Sequence, residues 1–203
     1  MTLRQAQGHP ELRRGVRVFG IDPGSERTGF GCVETDGRRH RLVTCGAIAA
    51  TAGDSFPRRL ARIHRELSAR LSECQPECVV VENLFYASNA RSALKLGHAR
   101  GVAILAAVEA GCEIVEYSPA EVKRAVVGYG RADKRQIQHM IKLLLGLDRV
   151  PTPHDAADAL AVAICHVHSG FGIRDSGLGT RDSGFGTRAP KTSLKSWRHY
   201  RPA

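Results

Sequence analysis

The spacing of apolar residues switches along the chain between period two and period three to four, and the switches set out the elements in order. VRVFGID (16–22) reads as a buried strand, PGSERTG as the turn after it, and FGCVETDG and HRLVTCGAIAAT as two further strands. The Asp36-Gly37 turn makes the last two a hairpin. Asp54-Ser55 then caps a helix with Pro57 in its first turn, running to about Glu73 with Leu60, Ile63, Leu67 and Leu71 on one face. CVVVE (78–82) is a short buried strand, 88–110 a long helix and CEIVEY (112–117) a further strand. Ser118 and Glu121 form a capping box opening another helix, and DKRQIQHMIKLLLG and HDAADALAVAICHVH are the last two helices. The pattern predicts an α/β fold: a mixed five-stranded sheet, three antiparallel strands plus parallel strands, flanked by helices.

Two segments carry no period. Residues 1–15 are polar and read as a flexible arm, and 169–203 repeat SGFGIRD, SGLGTRD and SGFGTRA, a Gly/Ser-rich composition that buries no core. The expected division is therefore an arm over 1–15, one domain over 16–168 and a disordered basic tail over 169–203. Thirty Lys and Arg against twenty Asp and Glu make the chain +10, which favours a polyanionic partner, nucleic acid or an acidic membrane surface. The tail, with seven basic residues against two acidic, offers nonspecific phosphate contact at most. No apolar run of about 18 residues would span a bilayer and the N-terminus has no secretory pattern, so a cytoplasmic location with no membrane association is expected. Six cysteines lie scattered in apolar segments with no CxxC pair and read as buried hydrophobes of a reducing compartment. Cys74 and Cys78 with His166 and His168 match no standard zinc spacing.

The chemistry lies in the acids. Asp22 ends the first strand and Glu82 the fourth; a right-handed crossover makes those strands parallel and brings both acids to one sheet edge, where open α/β sheets bind ligands. Asp155 and Asp158, three apart, are about 60° apart around a helix and about 4.5 Å along it, so both can face that edge. Each has a plainer reading: Asp22 as an Asx-turn residue, Asp155 as a cap or first-turn acid. Glu82 at a strand end needs a partner or solvent, and Asp158, a turn deeper beside Ala159 and Leu160, is harder to explain as a cap. Four clustered carboxylates require cations. Two Mg²⁺ about 4 Å apart balance the charge, and hard oxygen ligands suit Mg²⁺ or Mn²⁺ over zinc. With a basic surface this points to a nuclease.

The stretches GIDPGSERTGFG, VVVENLFYASNARSALKLGHARGVAILAAV, EYSPAEVKRAVVGYGRADKRQIQHM and HDAADALAVAICH closely resemble the RuvC Holliday-junction resolvases of the RNase H-like superfamily, over about 16–168. The resemblance implies an RNase H-like nuclease domain that nicks two opposed strands of a four-way DNA junction symmetrically during recombination and repair. It also implies Mg²⁺ held by Asp22, Glu82, Asp155 and Asp158, with Lys123 and Lys134 beside the scissile phosphate and Phe85 stacking on bases at the junction centre. A homodimer and delivery by the RuvA-RuvB branch-migration complex are further implications.

These residues also have readings of their own. Lys123, Arg124, Arg131, Lys134 and Arg135 suit phosphate contact or are a solvated basic face, and Phe85 and Tyr86 in NLFYASN either stack on bases or tuck into the core. Arg91, at the start of the next helix, joins the expected DNA contacts. Gly97 and Gly101, four apart near Ala93, Ala99 and Ala103, permit close approach to the chain's own sheet or to a second chain; a two-fold junction favours an isologous dimer. His154 beside Asp155 is a metal or orienting ligand, or a surface or capping residue. Two rival functions remain at this point: an actin-like ATPase, whose phosphate loop GIDPGSERTG also resembles, and a junction- or RNA-binding relative without chemistry.

Overall fold

The computed structural model describes residues 15–51, 53–83 and 89–170. The strands are β1 (Val16–Asp22), β2 (Arg27–Thr35), β3 (His40–Ala49), β4 (Cys78–Glu82) and β5 (Glu113–Tyr117), in sheet order β3-β2-β1-β4-β5. β1 pairs antiparallel with β2 and parallel with β4, β2 antiparallel with β3, and β4 parallel with β5. The helices are α1 (Phe56–Cys74), α2 (Ala90–Glu109), α3 (Pro119–Val127), α4 (Lys134–Leu144) and α5 (His154–His168). The expected order of elements and mixed sheet are present. Residues 1–14 of the expected arm and 171–203 of the expected tail lie outside the described residues.

Strand alternation sorts the core into two layers. Phe19, Ile21, Phe30, Cys32, Val79 and Val81 face α1 and α2, packing with Ile63, Leu67, Leu71, Ala99 and Ala103. Val18, Val33, Cys78 and Val80 face the opposite way, against Val122 and Val126 of α3, Ile137 and Ile141 of α4, and Leu160 and Ile164 of α5. Cys74 and Cys78 therefore lie on opposite faces of the sheet, which explains why they form no joint site.

Two local details differ from the sequence reading. β2 begins at Arg27, inside the stretch read as a turn, because Arg27 already pairs with Ala49 of β3; the Thr28 hydroxyl donates to the Gly24 carbonyl at 2.9 Å across the shortened turn. Ser55 stands at the N-cap of α1 but makes no side-chain cap bond; the Asp54 carboxylate accepts instead from Arg62 Nη2 at 2.6 Å. The capping box of α3 forms as read, from Ser118 and Glu121, and α4 has a second one from Asp133 and Gln136.

α5 is buried almost end to end, from Ala156 to His166 with only Asp158 half-exposed. Its apolar character is that of a central helix rather than a surface one; burying Leu160, Val162 and Ile164 stabilises by about 1.5–3 kcal/mol each. The sheet beneath it is carved by glycine. A Cβ at Gly20 would lie 2.0 Å from the Ala159 carbonyl oxygen, one at Gly29 2.0 Å from that of Asp155, and one at Gly31 2.6 Å from Leu160 Cδ2. Because these three positions lack a side chain, the helix backbone lies directly on β1 and β2.

Candidate active site

That close contact sets the site. Asp22 is the last residue of β1 and pairs with Gly29 of β2, over which Asp155 sits. Ile21 pairs with Val81 in the parallel β1–β4 ladder, so the acids that follow them, Asp22 and Glu82, end neighbouring strands at the same edge. Both share the sheet face of Val18 and Val80, the face α5 covers. Asp158, one turn along α5, completes the group, and Asp155 and Asp158 keep side chains 28% and 26% exposed. The edge is open enough to be reached and closed enough for charges to be felt.

The electrostatics show the charges of the other three acids converging on Asp22, and that of Asp158 on Glu82. Burial first, then the charges of Asp158, Glu82 and Asp155, push the Asp22 carboxyl up to about 7, with Lys134 opposing. Burial and Asp158 raise Glu82 in the same direction, while Lys123 and Lys134 pull it down. Lys134 Nζ donates to Asp158 Oδ2 at 2.6 Å, and that hydrogen bond raises the lysine's own pKa. On the other side, Arg27 Nη1 stands 3.6 Å from Asp155 Oδ2. The edge is thus short of positive charge, and two side-chain cations lean into it.

The donor chemistry fits a hard divalent cation, since all four groups offer carboxylate oxygens. Among the described residues no three His, Cys, Asp or Glu side chains are already drawn into a metal-holding group. Asp158 and Asp155 are turned instead toward Lys134 and Arg27.

The remaining sequence candidates divide by position. Lys123 on α3 is half-buried and close enough to act on Glu82, and Lys134 opens α4 at Asp158. Arg124, Arg131 and Arg135 are exposed on α3, the following loop and α4, and Arg91 is exposed in the first turn of α2. Phe85 and Tyr86 lie outside the described residues. His154 Nδ1 shares a 2.8 Å hydrogen bond with Nε2 of the buried Gln138, tying the start of α5 to α4. Gly97 and Gly101 are exposed with open space where a Cβ would stand, while Ala99 and Ala103 on the other side of α2 meet the sheet. Arg27 did not emerge from the sequence: it sits in a stretch read as a turn, and its facing toward Asp155 depends on where β2 begins.

A mixed five-stranded sheet with acids ending β1 and β4, and two more on a helix laid across them, defines a nuclease fold of the RNase H-like class. Residues 18–166 match the family model for crossover junction endodeoxyribonuclease RuvC, and the chain belongs to that family. The RuvC of Koribacter versatilis is 54% identical over 155 residues, covering 76% of this chain and 93% of its own. That of Alkaliphilus oremlandii is 50% identical over 153 residues, covering 75% and 93%. Among solved structures, Thermus thermophilus RuvC in complex with Holliday junction substrate is similar, with a TM-score of 0.73, 35% identity and coverage of 76% of this chain and 94% of that one.

Proposed function

We propose that this chain resolves Holliday junctions by paired symmetric nicks, as a Mg²⁺-dependent endodeoxyribonuclease. The observation that carries the reading is the gathering of the acids at one sheet edge: Asp22 and Glu82 end neighbouring strands beneath α5, and the charges of Asp158, Glu82 and Asp155 all reach the Asp22 carboxyl. Such a set is unfavourable by itself and is explained by a cationic ligand.

Asp22, Glu82, Asp155 and Asp158 would hold the metal, two Mg²⁺ per subunit with Mn²⁺ as a substitute. The bound ions supply a nucleophilic water and stabilisation of the leaving oxygen in phosphodiester hydrolysis. The chain's own part is placement. β1 and β4 fix Asp22 and Glu82 on rigid strand ends, and the glycine-lined seat of α5 fixes Asp155 and Asp158 relative to them. Lys134, its side chain 57% exposed, and Lys123 present ammonium groups beside the acids for the scissile phosphate. Arg91, Arg124, Arg131 and Arg135 serve phosphates further along the arms, and Phe85 and Tyr86 stack on bases at the junction centre.

Paired nicking calls for two active sites related by the junction's two-fold axis, and a homodimer supplies them. α2 offers a surface for it: Leu94, Leu105 and Val108 are 65%, 48% and 57% exposed, in line with the open Gly97 and Gly101 at spacings of three and four. The site of action is cytoplasmic DNA, with junctions delivered by the RuvA-RuvB complex; among the described residues no helix is long and apolar enough to cross a membrane.

The test is incubation of the folded full chain with a synthetic mobile four-way junction and Mg²⁺. Symmetric nicks in two opposed strands are expected, and intact junction after incubation with folded protein overturns the reading.

A further inference from the structure

We propose that Arg27 is a further DNA-contacting residue of this site, gripping a backbone phosphate from the β2 side of the acids, across from Lys123 and Lys134. The inference rests on the nuclease reading above and adds a residue that the sequence did not point to.

The sheet order places β2 and β4 on either side of β1, so Arg27 and Glu82 flank Asp22. Arg27, Gly29 and Gly31 alternate onto one face of β2, and the two glycines show which face, since α5 lies on both. Arg27 therefore emerges on the side of the sheet that carries the acids, at the edge where they gather.

The backbone there is firmly held. Arg27 pairs with Ala49 of β3, Thr28 is bonded to Gly24, and a Cβ at Gly24 would stand 2.2 Å from the Arg27 carbonyl oxygen. The neighbouring acid does not compete for the guanidinium, because Glu26 is paired with Arg59 at 2.7 Å. Arg27 Nη1 is drawn toward Asp155 but stops at 3.6 Å, beyond hydrogen-bond range, and its side chain is 52% exposed. An exposed pair at that separation adds little to stability, so folding alone does not account for the arrangement. A guanidinium aimed over a carboxylate cluster from a rigid strand, with its donors uncommitted, is suited to a phosphate, whose oxygens match its fork. Lys123 and Lys134 approach from α3 and α4 beyond β1; with Arg27 they place positive charge on both sides of the acids, along the path of a strand crossing the edge.

The test uses the full chain and a fluorescent four-way junction, with affinity measured in chelator over a range of salt concentrations so that no metal contributes. Arg27→Ala is expected to weaken binding roughly fivefold to tenfold and to reduce the slope of log K against log salt by about 0.9, the signature of one lost phosphate contact. Arg27→Lys is expected to restore the slope and most of the affinity, and both variants to melt with the wild type. Wild-type affinity and slope in Arg27→Ala overturn the proposal and leave Arg27 as a counter-charge for Asp155. A loss in Arg27→Lys as large as in Arg27→Ala, or a loss with unchanged slope, also overturns it, because a structural defect ignores retained charge. The nuclease reading is judged separately by nicking of the junction by the wild type in Mg²⁺. An Arg27-dependent salt slope without nicking removes that reading and leaves the DNA contact standing.

Discussion

Gly29 pairs with Asp22 across β1 and β2, and a side chain on Gly29 would collide with Asp155, its Cβ only 2.0 Å from the Asp155 carbonyl oxygen. One missing methyl group thus lets an acid on a strand and an acid on a helix belong to the same site. Gly29→Ala is expected to push the start of α5 off β2, costing about 1–3 kcal/mol in urea unfolding and reducing junction nicking by more than it reduces binding.

Asp22→Asn is expected to abolish nicking and keep junction binding, since the basic surface is untouched. It is also expected to stabilise the metal-free protein. With its pKa raised from 3.8 to about 7, Asp22 contributes stability that is full below the lower value and lost as pH rises through the higher one. At pH 8 without divalent ions the variant therefore gains, by roughly 1–3 kcal/mol. Mg²⁺ should raise the melting temperature of the wild type and not of the variant. Equal melting of the two without metal would show that the acids do not strain the fold.

Lys134→Ala removes the ammonium 2.6 Å from Asp158. Single-turnover nicking is expected to fall by roughly 10²-fold, the usual cost of one positioned donor to a reacting oxygen, beyond the roughly tenfold loss of junction affinity that one phosphate contact accounts for. Calorimetry in the absence of DNA should show Mn²⁺ binding more tightly to the variant, because Asp158 no longer has a resident cation. Unchanged nicking would place Lys134 outside the reaction.

Leu105→Glu and Leu94→Glu place a charge in the exposed apolar face of α2. On the proposed dimer, each is expected to shift sedimentation velocity from dimer to monomer and to uncouple the two nicks, so that singly nicked junctions accumulate. Dimers of both variants would move the subunit contact elsewhere, and a monomeric wild type would remove it.

His166 is buried, bonded through Nδ1 to the Tyr117 hydroxyl at 2.9 Å, and burial pushes its pKa down from 6.5 to about 4. The unfolded chain takes up this proton near the higher value and the folded chain only near the lower. Stability from this group is therefore present above pH 6.5 and lost as pH falls toward 4, by about 1–3 kcal/mol. Urea titrations of wild type and His166→Gln should diverge in slope over that window, the variant being flatter. Parallel curves would show that the histidine is protonated within the fold.

The sequence by itself determined the order of elements, because period and turn chemistry are local properties: strands alternate, helices repeat near 3.6, and Ser118 with Glu121 caps α3 from three residues apart. It also pointed to Asp22, Glu82, Asp155 and Asp158 as a group, since a parallel crossover brings two strand ends together and a helical turn aligns the other pair. Tertiary structure decided the rest. Whether α5 lay on the sheet depended on Gly20, Gly29 and Gly31 meeting one helix, a coincidence of residues far apart in the chain. The unused face of α2 became visible once Ala99 and Ala103 had taken the sheet and left Gly97 and Gly101 in the open. Arg27 lay in what reads as a turn, and only its pairing with Ala49 of β3 made it the first residue of a strand facing the acids. Side-chain direction in a strand depends on register, and register is set by the partners a strand meets in the folded sheet.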